Sequence, residues 1–184
     1  SSTGVFVSAG VLTLLLAIVT LWRLPDFFVR FIIVVLVRSV YRIKVRGAEN
    51  VPTEGPALLA ANHVGWLDAF LLGATQQRRI RFIMSREVFQ KSAFRPLFRL
   101  MKVILISAKD PPKQIIQSLR QARQALDEGQ LVCIFPEGVI TRNGMIHGFR
   151  GGLERILRGS DYPLIPVYIG GAWGSIFSYS RGRI

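Results

Sequence analysis

Side chains suited to nucleophilic or metal chemistry are scarce in this sequence. It contains one cysteine, Cys133, and two histidines, His63 and His147. A single cysteine forms no internal disulfide, and Cys133 lies within an apolar run typical of a core strand. Two histidines and one cysteine, widely spaced, also form no recognisable metal-binding cluster, so we expect no metal. Acid–base chemistry, if present, therefore depends on very few residues.

Acidic residues are also few. The chain has 11 Asp and Glu against 24 Lys and Arg, which gives a formal charge of +13. Such an excess indicates an anionic partner, which is nucleic acid, an anionic membrane surface or a phosphate-bearing substrate. Half of the residues are hydrophobic, and this favours the membrane. We therefore expect an anionic membrane surface as a partner, and no nucleic acid.

Charge is missing altogether from residues 4–22. At 1.5 Å per residue, a helix of this length spans roughly 28 Å, close to the hydrocarbon thickness of a bilayer. The run is too long for the apolar part of a signal peptide, and no basic segment precedes it. A buried core helix is the remaining alternative. We predict a transmembrane or membrane-inserted helix, with Trp22 and Arg23 at the interface.

A second apolar run, residues 26–41, carries Arg30 and Arg38. It indicates an amphipathic helix at the membrane interface whose arginines reach headgroups, and a hairpin of two membrane helices is equally compatible. Alternation over residues 41–46 predicts a strand. We divide the chain into a membrane helix (1–24), an amphipathic interfacial helix with its connector (25–45) and a globular domain (46–184).

Strand and helix signals alternate in the globular part. Apolar strands that alternate with helices predict an α/β fold with a mostly parallel central sheet flanked by helices, preceded by the N-terminal apolar membrane-associated helices. The predicted strands are 57–61, 80–84, 103–106, 131–135 and 164–169. The predicted helices are 67–75, 86–100 and 112–128. Helix 86–100, kinked at Pro96 and with Lys91, Arg95 and Arg99 on one face, either packs on the sheet or touches the membrane.

The first of two polar clusters follows the strand at 57–61 and runs from His63 to Asp68. On a regular helix, residues five apart point about 140° away from each other. The two side chains can meet only if His63 lies in a turn, which Gly65 would permit, and Asp68 opens the next helix. Asp68 would then accept the Nδ1 proton and leave Nε2 to take a proton from a substrate hydroxyl. The alternative is a surface histidine beside a helix-capping aspartate.

The second polar cluster follows the strand at 131–135 and includes Glu137, Gly138 and Arg142. Loops at the carboxyl ends of parallel strands gather at one edge of a sheet, so the two clusters can meet there. Glu137 either forms a salt bridge with a nearby arginine, or holds arginines or a substrate hydroxyl in place. Since a carboxylate repels phosphate, we assign phosphate binding to Arg142, Arg150 and the Gly138 amide.

Together these clusters resemble the motifs of one family. HVGWLD (63–68) resembles the H-x4-D motif, and FPEG (135–138) the F-P-E-G motif, of the glycerophospholipid acyltransferases, which include lysophosphatidic acid acyltransferase. FRGG (149–152) is similar to the basic glycine-rich stretch of the family, and LIPV (164–167) to its proline-containing fourth block. The resemblance covers about residues 40–170. EGVIT (137–141) is most similar to the 2-acylglycerophosphoethanolamine acyltransferase branch.

The resemblance implies a membrane-bound enzyme that moves a fatty acyl group from acyl-CoA or acyl carrier protein to the free hydroxyl of a lysophospholipid. The thioester is a co-substrate, so no cofactor is implied. His63 would be the general base, oriented by Asp68, and no acyl-enzyme is implied because no Ser or Cys stands beside His63 in either motif. The acceptor would be bound by Glu137, Gly138, Arg142 and Arg150.

The same resemblance gives expectations about location and context. We expect the cytoplasmic face of a bacterial inner membrane, and fusion to an acyl-carrier-protein synthetase or a lysophospholipid transporter in the full-length protein. The alternative function is a non-catalytic membrane-anchoring or lipid-binding module of a larger lipid-handling protein. Because the sequence starts without Met and stops at Ile184, we expect a fragment of a longer chain that is cut short at its C-terminus.

Two departures from the family pattern concern the acceptor. The second block usually has a glycine and a phosphate-binding arginine, and the matching residues 101–109 have neither. Lys109 could substitute, but lysine is a point charge without the bidentate geometry of arginine. Arg142 also stands later than the family's usual arginine. These departures favour a phosphodiester headgroup over a phosphomonoester.

Overall fold

A computed structural model describes residues 2–23 and 25–180, without the side chains of residues 21–26. Its helices are α1 (Ser2–Arg23), α2 (Pro25–Val40), α3 (Asp68–Thr75), α4 (Arg86–Lys91), α5 (Arg95–Leu100), α6 (Pro112–Asp127) and α7 (Gly152–Leu157). Its strands are β1 (Ala57–Ala61), β2 (Ile80–Ser85), β3 (Ile104–Ile106), β4 (Leu131–Ile134) and β5 (Leu164–Val167). The interface positions predicted for Trp22 and Arg23 lie outside the described side chains.

The five strands form one sheet in the order β3-β2-β4-β1-β5. Each neighbouring pair is parallel, so the predicted α/β fold with a parallel central sheet is confirmed. The central strand β4 is buried along its whole length, including Cys133. Burial raises the pKa of the Cys133 thiol far above its ordinary value, which fits a core residue rather than a nucleophile.

Helices cover both faces of the sheet. One face packs Leu58 and Val132 against α6 and α7, and the other packs Leu59 and Phe82 near α3. Alternate residues of β1 thus enter opposite layers of the core, as the pleat requires. Helix α6 buries Leu119, Ala122 and Leu126 on one side, and it stops before Gly129, whose φ is 76°.

The N-terminal helices differ in how they meet the domain. Helix α2 packs through Ile33 and Val37 against Ala74 of α3. Helix α1 is apolar, and its residues 2–20 are all exposed. In the described part of the chain, α1 is the one helix that is long and apolar enough to cross a bilayer. The division into 1–24, 25–45 and 46–184 stays a prediction.

Two local predictions are wrong. Residues 41–46 form no strand, because the apolar side chain of Ile43 packs against the α2–α3 cluster instead of joining the sheet. The helix predicted over residues 86–100 is two helices, since Ser92 is extended and ends α4. Pro96 stands in the first turn of α5, where a missing N–H is tolerated, so it does not kink a longer helix.

Candidate active site

A groove of about 970 Å³ runs along the carboxyl ends of β1, β2, β3 and β4. The loops that follow these four strands supply most of its lining, as expected for an open parallel sheet. Apolar side chains cover much of the wall, among them Phe82, Phe98 and Phe135. His63, Gly138, Arg142 and Arg150 also line it, so the two polar clusters meet in one cavity.

His63 and Asp68 form a hydrogen-bonded pair. His63 lies in the turn after β1, and Asp68 is the first residue of α3. The Nδ1–H of His63 donates to Oδ2 of Asp68 at 2.8 Å, since a carboxylate only accepts. The ring also stacks on Phe135, with centroids 4.2 Å apart. The orientation of the ring is therefore fixed from two sides, and Nε2 is left free of the pair.

The same Asp68 oxygen organises the turn that contains His63. It accepts the backbone N–H of Val64 at 2.7 Å and of Gly65 at 2.9 Å. Asp68 is only 1% exposed, and its second oxygen, Oδ1, has no hydrogen-bond partner within the described residues. Asp68 therefore holds both the imidazole and the main chain of the turn, and its bond to Nδ1 selects the tautomer of the ring.

Gly65 serves a purpose that differs from the one predicted. Its φ is not in the left-handed region, so the turn itself does not demand glycine. A Cβ at this position would approach the carbonyl oxygen of Phe177 to 3.1 Å, and that carbonyl accepts the N–H of Trp66 at 3.0 Å. Glycine therefore allows the C-terminal segment to close against the His63 turn.

Glu137 contacts main chain rather than arginine. Its Oε1 accepts the backbone N–H of His63 and its Oε2 accepts that of His147, both at 2.8 Å. The residue is 3% exposed. In the described part of the chain it forms no ion pair, so the alternatives that pair it with arginine are wrong, and contact with a substrate hydroxyl stays a prediction. Glu137 instead ties the His63 turn to the loop that precedes α7.

Two positioning residues were missed from the sequence. The carbonyl of His63 accepts the N–H of Thr141 at 2.9 Å, which joins the two motif loops a second time. Asn62 pairs with the backbone of Ile169 in both directions, at 3.1 and 2.6 Å, and so fixes the segment after β5. The polar type and position of Asn62, directly after a buried strand, were the available signal.

Three of the predicted acceptor residues, Gly138, Arg142 and Arg150, line the groove, and two of them are in contact. Gly138 has a φ of 67°, and a Cβ there would come within 2.8 Å of Nε of Arg150, so this guanidinium packs directly on the glycine. The guanidinium of Arg142 stands over the Tyr179 ring, 5.5 Å from its centroid. Both arginines are exposed, and they supply positive charge to the end of the groove that contains His63.

The backbone amides of Gly65 and Gly138 both donate within the protein and are not free to bind a ligand. The N–H of Gly65 donates to Asp68, and the N–H of Gly138 donates to the carbonyl of Phe135 at 3.0 Å. The prediction that the Gly138 amide binds phosphate is therefore wrong. The side chains of Arg142 and Arg150 supply positive charge in this part of the groove.

The other end of the groove is formed by the loops after β2 and β3. Ser85, Glu87, Ser107 and Lys109 line it, and Lys109 is the residue suggested as a substitute for the family's second-block arginine. Arg86 beside this end is paired with Asp110. Within residues 2–23 and 25–180, no group of three or more His, Cys, Asp or Glu residues is placed to bind a metal ion.

Proteins of known sequence match the region that builds this groove. A family model described as "Acyltransferase" matches residues 42–170. Relatives named 1-acyl-sn-glycerol-3-phosphate acyltransferase include those of Pseudomonas aeruginosa, 28% identical over 68% of this chain and 48% of that protein, and Bacillus subtilis, 24% identical over 77% and 69%. A chloroplastic relative from Arabidopsis thaliana is 26% identical over 71% of this chain and 36% of that protein.

A solved structure shows the same fold. The 1-acyl-sn-glycerophosphate acyltransferase PlsC of Thermotoga maritima aligns with a TM-score of 0.59 at 24% identity, over 71% of this chain and 51% of that one. The chain spans about a third to a half of the length of several of the curated relatives it matches. Since the family model covers the strands and both motifs around the groove, the chain belongs to the glycerophospholipid acyltransferase family.

Proposed function

We propose that this chain transfers a fatty acyl group from an acyl thioester to the free hydroxyl of a lysophospholipid. The observation that carries the proposal is the His63–Asp68 pair, 2.8 Å long, at a mostly apolar groove that also contains Arg142 and Arg150. A base, an apolar wall and cationic side chains are what an acyl chain, a hydroxyl and a phosphate require together. The relatives are named for acyl transfer to 1-acyl-sn-glycerol 3-phosphate.

In the proposed reaction, Nε2 of His63 removes the proton from the acceptor hydroxyl while its oxygen attacks the thioester carbonyl. A new C–O bond forms, and the carbonyl oxygen becomes negative. When that intermediate collapses, the C–S bond breaks and the leaving thiolate takes the proton from the imidazolium. The nearby Asp68 carboxylate stabilises the imidazolium between these steps.

The remaining motif residues either position the main chain of His63 or supply positive charge. Glu137 fixes the main chain of His63 through its backbone N–H and is a positioning residue. Arg142 and Arg150 bind the acceptor phosphate, and guanidinium groups suit its geometry. The positive charge of the same two arginines also offsets the oxyanion, since the Gly65 and Gly138 amides donate within the protein.

Membrane association is part of the proposal. The exposed apolar helix α1 inserts into a bilayer, and the basic surface of the chain faces anionic headgroups. We place the enzyme at the cytoplasmic face of a bacterial inner membrane, with acyl-CoA or acyl carrier protein as the donor. In the full-length protein, a synthetase or transporter domain would supply donor or acceptor.

The proposed function is tested by acyl-transfer assays over a panel of lysophospholipids with both classes of donor. We expect the wild-type chain to acylate at least one acceptor, and His63→Ala to lose about a thousandfold or more in kcat/KM. Binding to anionic liposomes should stay unchanged in the variant. Full activity of His63→Ala, or its failure to bind liposomes, would contradict the proposal. No transfer by the wild type would favour an anchoring module.

Direct attack is tested separately from the identity of the base. Labelled acyl thioester is mixed with the enzyme without acceptor and quenched rapidly. We expect no labelled protein, because the acyl group passes straight to the acceptor oxygen. A burst of protein-bound acyl group, equal to the enzyme concentration and transferred when acceptor is added, would show a covalent intermediate instead.

A further inference from the structure

The end of the groove away from His63 contains a carboxylate that the proposed mechanism does not use. Glu87 follows β2, while His63 follows β1, and β4 lies between these two strands. Neighbouring strands are about 4.8 Å apart, so two strand spacings separate the strand ends by about 10 Å. Both residues line the same groove. A molecule held at His63 can therefore reach Glu87 without leaving the cavity.

Glu87 is held in place and remains charged. It accepts the Ser85 hydroxyl at 2.9 Å and the Ser107 hydroxyl at its other oxygen. These hydrogen bonds, the one from Ser107 first, lower the pKa of Glu87 to about 2, so the carboxylate is ionised at neutral pH. Lys109 also favours the charge, but in the described part of the chain no cation pairs with Glu87.

The loop that carries Lys109 is fixed by its own contacts. Asp110 accepts the N–H of Ser107 at 2.9 Å and pairs with Arg86 at 3.2 Å. The Ser107 hydroxyl accepts the N–H of Lys109 at 3.0 Å. Because Arg86 is engaged by Asp110, it does not neutralise the adjacent Glu87. The cavity thus contains an anionic position, formed before any ligand arrives.

We propose that Glu87 binds the primary ammonium group of a lysophospholipid headgroup. This inference rests on the proposed function, because it assumes that the acceptor hydroxyl lies at His63. From a free glycerol hydroxyl to the nitrogen of a phosphoethanolamine headgroup there are eight or nine covalent bonds, which reach about 10 Å. The phosphorus is four or five bonds from that hydroxyl, or about 5 Å. This distance is one strand spacing from His63 and reaches the end of β4, the strand that Arg142 and Arg150 follow.

The chemistry of the site selects among headgroups. A primary ammonium has N–H donors for a carboxylate, whereas a trimethylammonium has none. A glycerol headgroup offers no positive charge. A phosphomonoester carries a second negative charge that the Glu87 carboxylate repels. The glutamate and the missing second-block arginine therefore favour the same acceptor, an amine-bearing phosphodiester.

The test compares Glu87→Gln with a matched control, Glu54→Gln, on an exposed loop before β1. kcat/KM is measured for lysophosphatidylethanolamine, lysophosphatidylglycerol and lysophosphatidic acid. We expect the wild type and Glu54→Gln to prefer the ethanolamine lipid over the glycerol lipid by about tenfold or more. Glu87→Gln should lose that preference. A wild-type preference for either other lipid would overturn the proposal.

A second variant separates charge from loop structure. Ser107→Ala removes one hydrogen bond from Glu87 but keeps the carboxylate, so the ethanolamine preference should persist even if all rates fall. If Glu87→Gln lowers the rates with all three lipids by the same factor, Glu87 only supports the loop and the headgroup site is wrong.

Binding of the same three lipids to His63→Ala protein separates this proposal from the proposed function. If the wild type transfers no acyl group but the ethanolamine lipid still binds in a Glu87-dependent way, the proposed function is wrong and the headgroup site stands. If the wild type transfers acyl groups but all three lipids bind equally well, and Glu87→Gln does not change their binding, the headgroup site is wrong and the proposed function stands.

Discussion

The two histidines of the chain make the same main-chain contact but differ in the contacts of their rings. His63 and His147 each donate a backbone N–H to Glu137, one to each carboxylate oxygen, at 2.8 Å. The His63 ring is bonded to Asp68 and stacked on Phe135. His147 is exposed, and within the described residues its ring forms no hydrogen bond or ring contact. Both residues line the groove.

The difference shows that two buried carboxylates divide the work at this site. Glu137 fixes main chain and joins two loops without touching either imidazole. Asp68 fixes the His63 ring, and through the amides of Val64 and Gly65 it also shapes the turn. Both histidines lie at the groove, but within the described residues only the His63 ring is oriented by a carboxylate. The proposed role of general base requires that orientation.

Among the residues around His63, the largest expected effect comes from removing the charge that orients its ring. Asp68→Asn keeps the size of the side chain but no longer stabilises an imidazolium, so we expect kcat/KM to fall by about 10²- to 10⁴-fold. The melting temperature should change little, since an amide oxygen can still accept the turn amides. Asp161→Asn, at an exposed position, is the control. Activity within twofold of wild type in Asp68→Asn would contradict the role of Asp68.

A smaller loss of activity, with a larger loss of stability, is expected for Glu137→Gln. Glutamine has one acceptor oxygen and an amide nitrogen, so one of the two backbone N–H groups now faces another donor. We expect kcat/KM to fall by about 10- to 100-fold and the free energy of unfolding by about 2 kcal/mol. Denaturant melts and kinetics check both. A specific loss of activity at unchanged stability would mean that Glu137 contacts substrate.

The position of Arg150 on Gly138 gives the next prediction. Gly138→Ala adds a Cβ within 2.8 Å of Nε of Arg150 at a φ of 67°, so the guanidinium has to move and the backbone is strained by about 1–2 kcal/mol. We expect KM for the acceptor to rise by about tenfold, with kcat less affected. Gly148→Ala is the matched control, because a Cβ there meets nothing within 4 Å. Equal effects of the two variants would argue against acceptor binding by Arg150.

The smallest effect is expected at the second histidine. His147→Ala keeps the backbone N–H that Glu137 accepts, so only an exposed ring is lost. We expect kcat/KM within about threefold of wild type and an unchanged melting temperature, since surface changes of this kind usually cost little. A loss of a hundredfold or more would show that the His147 ring takes part in the reaction.

Part of this arrangement could be predicted from the sequence. Short apolar runs followed by polar turns predicted the strands of the sheet. The rule that loops gather at the carboxyl ends of parallel strands predicted that the His63 and Glu137 clusters lie close together. The requirement that Asp68 open a helix followed from helical geometry alone. These predictions depend on periodicity and connectivity, which are local properties of the chain.

Other parts depend on contacts between distant segments. The partners of Glu137 are main-chain amides, which every residue has, so no sequence pattern distinguishes them from a salt bridge. The need for Gly65 comes from Phe177, more than a hundred residues away. The break at Ser92 separates α4 from α5 in a stretch that is amphipathic throughout, and Pro96 fits a kink or a helix start equally well.

The most direct test of the central role of His63 is a double-mutant cycle with Asp68. Rates are measured for Asp68→Ala in the wild-type background and in His63→Ala, with enzyme in excess over acceptor so that slow transfer is visible. If Asp68 acts through the imidazole, Asp68→Ala lowers the rate by about a hundredfold or more when His63 is present and by no more than about twofold when it is absent. An equal loss in both backgrounds would show that Asp68 acts independently of His63, and the paired base would be contradicted.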